Sequence, residues 1–398
     1  MLRIIHTADV HLGARHDDLG EQAAAQRERQ FAAFKAAVDL ALSERVDLFL
    51  IAGDLFDSNV QPRRSVERVA AELKRLVDSK IRTVVIPGTH DCYDRASVYR
   101  TYDLAMMAGS APGDDLVTVL DPDHASIHLP ALDAVVHGRV FPTKRAPHSP
   151  LRDSVGATGT AAADTGTGTP RATWQIGMVH GSIAIPGKTE GDEVVVTTAE
   201  IAASGLDYLA LGHWHSAQSG KAGAVTYAYA GAPEAVALDQ DRAGKVLLVT
   251  LDANAGSRSV TVEERVVGRT RFEKVDIDAS TVAGQPALVR MLSARADPDL
   301  VLDARLVGVR RDDLDLDLTE METALAPGFL KVRIRDASVP ALTDGPLPSP
   351  DTIVGAFIRD LEARIAALET AGSTDEAAEQ RDALRLGRLL LSGHEVSL

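Results

Sequence analysis

The chain has almost no cysteine. Cys92 is the single one in 398 residues, so no intrachain disulfide can form. That fits a reducing compartment. Aromatic residues are only 4% of the chain, so a core must be packed from Val, Leu, Ile and Ala. Positive charge is short as well: 42 Lys and Arg face 57 Asp and Glu, a formal net charge of -15. A free-standing duplex binder is more often basic. Any nucleic-acid ligand would therefore need local arginine patches, bound cations or a basic partner. The same acidity counts against adhesion to a membrane. Long apolar runs are missing too: none approaches the roughly 20 residues that span a bilayer. The start, Met1-Leu2-Arg3-Ile4-Ile5-His6, lacks the basic-then-apolar order of a signal peptide. A soluble cytoplasmic protein is the expectation.

What is present suffices for a large fold. Apolar residues make up 45% and charged residues 25% of the chain, and the length argues for more than one domain. Short apolar runs alternate with helical periodicity. Leu2 to Ile5, Asp47 to Ala52 and Thr83 to Ile86 read as strands; Glu21 to Arg45 and Val66 to Asp78 read as helices. Strands alternating with helices imply an α/β layered fold. The stretch 154–170, rich in Gly, Ala and Thr, reads as a flexible loop. Further strands lead into His180 and Gly212-His213, and the first domain is expected to cover 1–268. Residues 269–340 read as a small α+β domain. A Pro-rich linker over 340–350 precedes a helical tail, 351–398, with a break at Gly372-Ser373.

The chemistry lies in short motifs at strand ends. They are Asp9-Val10-His11, Gly53-Asp54, Gly88-Thr89-His90-Asp91, His180-Gly181 and Gly212-His213-Trp214-His215, with Asp57 near the second. Residues two apart on an extended segment share a face, so Asp9 can act with His11, and His213 with His215. In open α/β sheets, ligands gather at the carboxyl ends of strands. Two cations about 4 Å apart can clamp a phosphoryl group and activate water at neutral pH. Mixed carboxylate and imidazole ligands suit Mn, Fe or Zn. A lone histidine is more often a surface or core residue; the ordered set is not.

This set resembles the calcineurin-like metallophosphoesterases, whose pattern is D-x-H, GD, GNHD/E, H and GHxH. His6-Thr7-Ala8-Asp9-Val10-His11-Leu12-Gly13 and Ala52-Gly53-Asp54-Leu55-Phe56-Asp57 are most similar to the SbcD-type DNA repair nucleases. The motif resemblance covers residues 1 to about 235. It implies a metallophosphoesterase β-sandwich flanked by helices, a capping domain and a partner-docking tail. It implies two divalent metal ions, manganese first, with Fe, Zn or Mg as alternatives. Asp9, His11, Asp54 and His215 would hold one ion. Asp54 would bridge, and His180, His213 and Thr89 would hold the other. His90, oriented by Asp91, would contact the phosphate or protonate the leaving oxygen. The implied activity is exonuclease and endonuclease cleavage of DNA in repair. The implied partners are DNA, an SMC-like coiled-coil ATPase (SbcC-like) docked on the tail, and a second copy in a homodimer.

Two departures stand out. Thr89 replaces the family's Asn, and a hydroxyl is a shorter, weaker ligand than an amide carbonyl. Asp57 stands where many repair nucleases have His; it reads either as an acid orienting a ligand histidine or as a helix cap. Substrate contacts are weighed at Arg63 and Arg64, at Tyr93 and at His16. The alternatives are a surface pair at a helix start, a packed ring and a surface histidine. His6 reads as structural, and Arg139 as a candidate phosphate contact. Two other functions compete: a phosphodiesterase for a small nucleotide or lipid-linked diphosphate, and a weakly active scaffold subunit of the ATPase complex.

Overall fold

The computed structural model describes residues 1–152, 172–189, 191–235, 240, 242–254, 257–310, 314–340 and 348–391. The expected loop at 154–170 and most of the Pro-rich linker lie outside the described residues. The chain divides into two compact units, Met1–Phe272 and Glu273–Leu398. The sequence places this boundary at 268/269, a few residues earlier.

The first unit runs β1 (Leu2–Thr7), α1 (Ala23–Glu44), β2 (Leu48–Ala52), α2 (Arg63–Asp78), β3 (Arg82–Ile86), β4 (Val117–Val119), β5 (Ser126–Leu129), β6 (Ala134–His137) and β7 (Trp174–His180). It continues with β8 (Tyr208–Gly212), β9 (Gln218–Ala222), β10 (Val225–Tyr229), β11 (Lys245–Asn254) and β12 (Ser257–Val266). These strands make two six-stranded sheets, ordered β12-β11-β1-β2-β3-β4 and β9-β10-β8-β7-β6-β5. The architecture is the α/β layered sandwich expected.

Side-chain alternation along the strands assembles the layers. Ile5, Phe49, Ile51 and Val85 point to one face of the first sheet and meet Phe34 and Val38 of α1 with Val69 and Leu73 of α2. Ile4, Leu48, Leu50 and Val84 point the other way and meet Trp174, Ile176, Met178 and Tyr208 of the second sheet. All five residues of β2 are buried, as a central parallel strand covered on both faces requires. Helix α2 starts at Arg63, three residues before the apolar periodicity begins. Pro62, extended at φ -60° and ψ 136°, caps its start.

In the second unit β13 (Arg271–Asp278), β14 (Asp297–Val307) and β15 (Phe329–Asp336) form one sheet in that order. Helices α3 (Gln285–Ser293) and α4 (Leu318–Leu325) supply Leu288, Leu292, Met321 and Leu325 to its core, against Leu302, Ala304 and Ile334. Two helices follow, α5 (Ile353–Thr370) and α6 (Thr374–Leu391), with Gly372 at φ 77° in the turn between them.

Candidate metal centre

Parallel pairing gathers the motifs. β1 runs parallel to β2 and β2 to β3, so Asp9, His11, Asp54 and residues 88–91 leave the sheet at one end. β7 runs parallel to β8, with Gly212 opposite His180, and delivers His180, His213 and His215. Three trios bring ligand atoms within 4.8 Å of one another: Asp9, His11 and His215; Asp9, Asp54 and His180; His11, Asp57 and His90.

Asp54 is the shared carboxylate. Its Oδ2 lies 3.1 Å from His180 Nε2 and 3.7 Å from His11 Nε2. Its Oδ1 accepts the His90 N–H at 2.8 Å. Asp9 accepts the His213 N–H at 2.9 and 3.1 Å and lies 3.9 Å from His215 Nε2. His11 Nε2 and His215 Nε2 face each other at 3.2 Å.

Outer partners set the imidazole orientations. His180 Nδ1 donates to the Ala52 carbonyl at 2.9 Å, which turns Nε2 toward Asp54. His11 Nδ1 meets Asp57 Oδ1 at 3.2 Å, and the Gln240 amide meets His215 Nδ1 at 2.6 Å. Such contacts fix the tautomer of a ligand histidine.

The residues fit divalent cations. His180 Nε2 is buried with no hydrogen-bond partner, although Asp54 Oδ2 is near; the approach lacks hydrogen-bond alignment. Asp9, Asp54 and Asp91 are nearly inaccessible, yet none pairs with Arg or Lys among the described residues. Burying an uncompensated carboxylate costs several kcal/mol. Burial pushes the Asp9 carboxyl up to about 6, with nearby Asp54 adding to it against the opposing histidines. Burial alone would push His180 down; the Asp54 charge, with Asp9 and the Ala52 carbonyl, outweighs it and brings it up to about 10. A proton on His180 thus takes the place a cation would fill. Burial, then the His11 charge, pushes His215 down to about 3.

The backbone is strained where the ligands sit. Asp9, His11, Asp54 and His213 have φ of 52°, 50°, 50° and 100°. Left-handed non-glycine residues are uncommon and cluster at functional sites. The glycines permit close approach: a Cβ on Gly53 would sit 2.2 Å from His180 Nδ1, and one on Gly88 2.2 Å from Asp54 Oδ1.

The calcineurin-like phosphoesterase family profile matches residues 2–217, more than half of the chain. The chain belongs to the calcineurin-like phosphoesterase family. The family is named for the hydrolysis of phosphate esters. The DNA double-strand break repair protein Mre11 of Aeropyrum pernix is 41% identical over 91 residues, 23% of this chain and 21% of that protein. The match thus spans about a fifth of that relative's length. Mre11 of Halobacterium salinarum is 25% identical over 310 residues, covering 77% of this chain and 71% of that one. A solved structure from Thermus thermophilus covers 67% of this chain and 99% of its own at 13% identity, with a TM-score of 0.41. That likeness is too loose to carry an argument.

Asp9, His11, Asp54, His180 and His215 converge in the trios, and the His213 ring stands 5.4 Å from that of His180. Thr89 is buried and lines a cavity with His180. The His90 side chain is 49% exposed, and its Nδ1 donates to the Asp57 carbonyl at 3.1 Å. The expected role of Asp91 needs correction. Its carboxylate accepts the Gly88 N–H, the Phe56 N–H and the Tyr99 hydroxyl at 2.7, 3.1 and 2.6 Å, and does not orient the His90 ring. It ties the loop after β3 to the loop after β2. Asp57 orients both histidines: its carboxylate holds His11 and its carbonyl holds His90. It is not a helix cap, since Pro62 occupies that position of α2.

Arg63 is exposed and pairs with Glu67 one turn on, and Arg64 is exposed beside it. The Arg100 guanidinium lies 4.3 Å from the Tyr93 ring centroid. His16 Nε2 meets Gln30 Oε1 at 2.8 Å. His6 is fully buried, with Nδ1 on the Tyr208 hydroxyl at 2.8 Å. Tyr99 and Gln240 carry no signal in the sequence. Neither belongs to a motif, and each reaches its partner only through the tertiary fold.

Proposed function

We propose that the chain is a two-metal nuclease that hydrolyses DNA phosphodiester bonds in repair. The observation that carries this is the set of buried carboxylates with imidazoles but no Arg or Lys as partners among the described residues. Asp9, His11, Asp54 and His215 would hold one cation, and Asp54, His180, His213 and Thr89 the other. When bound, the cations would neutralise the phosphoryl oxygens and supply an activated water. Manganese is the cation we favour, given the mixed carboxylate and imidazole set. His90 Nε2 would donate a proton to the leaving oxygen, with its Nδ1 anchored on the Asp57 carbonyl. Asp57 would hold His11, and Asp91 with Tyr99 would keep residues 88–91 in place.

DNA as substrate is supported by the Mre11 relatives, which are named as double-strand break repair proteins. We propose the second unit as a capping domain. Its helices α5 and α6 expose Ile353, Leu390 and Leu391, which supports docking on an SMC-like coiled-coil ATPase. We also propose a homodimer and a cytoplasmic location. Among the described residues, no helix is long and apolar enough to cross a membrane.

The test is cleavage of single-stranded DNA by the full chain with and without manganese. Metal-dependent cleavage is expected. Hydrolysis of a small bis-aryl phosphodiester without any cleavage of DNA would sink the nuclease reading.

A further inference from the structure

A cavity opens beside the metal centre. Gly88, Thr89 and His180 line it together with Arg139, Thr143 and Lys144. Arg139 also lines a second depression with His137 and Arg152, so the two meet along its side chain. The wall is built into the fold. The Ala146 N–H donates to the Glu193 carbonyl at 2.9 Å, Thr143 Oγ1 donates to the Arg145 carbonyl at 2.8 Å, and Arg139 Nη1 donates to the Arg152 carbonyl at 3.0 Å.

Lys144 is exposed and makes no hydrogen bond or ion pair among the described residues. Lysine and arginine that reach phosphates fix the register of a nucleic acid without reading its bases.

We propose that this cavity is a subsite for an uncleaved phosphate neighbouring the scissile one on a nucleic-acid strand, held by Lys144 and Arg139. The inference rests on the nuclease reading and adds the part of the substrate that sets its position. It predicts that the enzyme recognises a strand by at least two phosphates.

The test uses the full chain in EDTA, so that catalytic metal plays no part. Fluorescent hexathymidylate is titrated and its anisotropy followed over a range of salt. Lys144→Ala is expected to weaken binding about fivefold and to make the log–log salt slope shallower by about 0.7, the value for one single-strand phosphate contact. Lys144→Arg should bind like the wild type, as should Lys80→Ala on an exposed turn. A hexathymidylate with one uncharged methylphosphonate at the contacted phosphate should bind wild type and Lys144→Ala alike. Equal affinity and slope for wild type and Lys144→Ala, or no binding by the wild type, would overturn the subsite. Separately, Lys144-dependent binding by a chain that cleaves no DNA in manganese would overturn the nuclease reading and leave the subsite standing.

Discussion

Two buried acids, one in each unit, are treated in opposite ways. In the second unit Asp303 is 3% exposed, and Arg335 meets it with both arms of its guanidinium at 2.9 and 2.6 Å. In the first unit Asp54 is 2% exposed and has only imidazoles and a backbone N–H around it. A planar guanidinium matches a carboxylate and supplies the full counter-charge. Imidazoles do so only while they hold a proton, as His180 does without a metal. An acid given its own arginine belongs to structure. An acid denied one, at strand ends with left-handed ligand residues, is held open for a cation that the chain itself lacks.

The strongest way to break this contrast is Asp54→Asn. Removing the shared carboxylate should lower phosphodiester turnover about a thousandfold, which corresponds to roughly 4 kcal/mol in the barrier. The same variant should melt below the wild type in chelator, because the protonated His180 loses the acid it faces. Manganese at a hundredfold excess over its Kd should stabilise the wild type by about 2.7 kcal/mol and the variant hardly at all. Calorimetric melts with and without chelator read both. Equal stabilisation of wild type and Asp54→Asn by manganese would mean that this acid does not hold the cation, and the contrast would fall.

The ligands are legible in the sequence and their supports are not. Asp9, His11, Asp54, His180, His213 and His215 each follow an apolar strand, so local pattern alone places them at one end of the sheets. Gly53 and Gly88 mark close approach for the same reason. Tyr99 reaches Asp91 from eight residues away, and Gln240 reaches His215 from 25. Neither spacing has a periodic signature, so only the folded chain discloses them. Asp91 misleads because its place beside His90 in the motif suggests contact. On a turn, adjacent side chains diverge, and this one points into the protein toward Gly88 and Phe56. The start of α2 escapes the pattern because Arg63, Arg64 and Ser65 carry no apolar period.

A smaller effect sharpens the contrast through pH. Burial raises the Asp9 carboxyl from 3.8 to about 6. A carboxyl raised on folding favours the native state when protonated, so its contribution is complete below about 3.8 and fades as pH rises through 6. Between pH 5 and 7 the metal-free wild type should lose about 1 kcal/mol relative to Asp9→Asn. Manganese should abolish that difference, since the bound cation then favours the ionised carboxylate. Parallel denaturant titrations at the two pH values measure it. The opposite slope would show that Asp9 is ionised comfortably without metal.

The smallest effect comes from the paired acid. Asp303→Asn leaves Arg335 without its carboxylate, but that side chain is 43% exposed and can turn to water. After solvent screening the loss of stability should be about 1 kcal/mol. It should be the same with manganese as with chelator, and nearly flat from pH 5 to 7. Asn keeps the volume and can still accept one guanidinium N–H, so the core around Leu302 and Ile334 need not repack. The variant thus removes charge from an acid as buried as Asp54 while leaving its packing in place. If it also ceased to be stabilised by manganese, burial alone would govern both acids and the arginine would be irrelevant. A modest, metal-blind loss is what a compensated carboxylate must give.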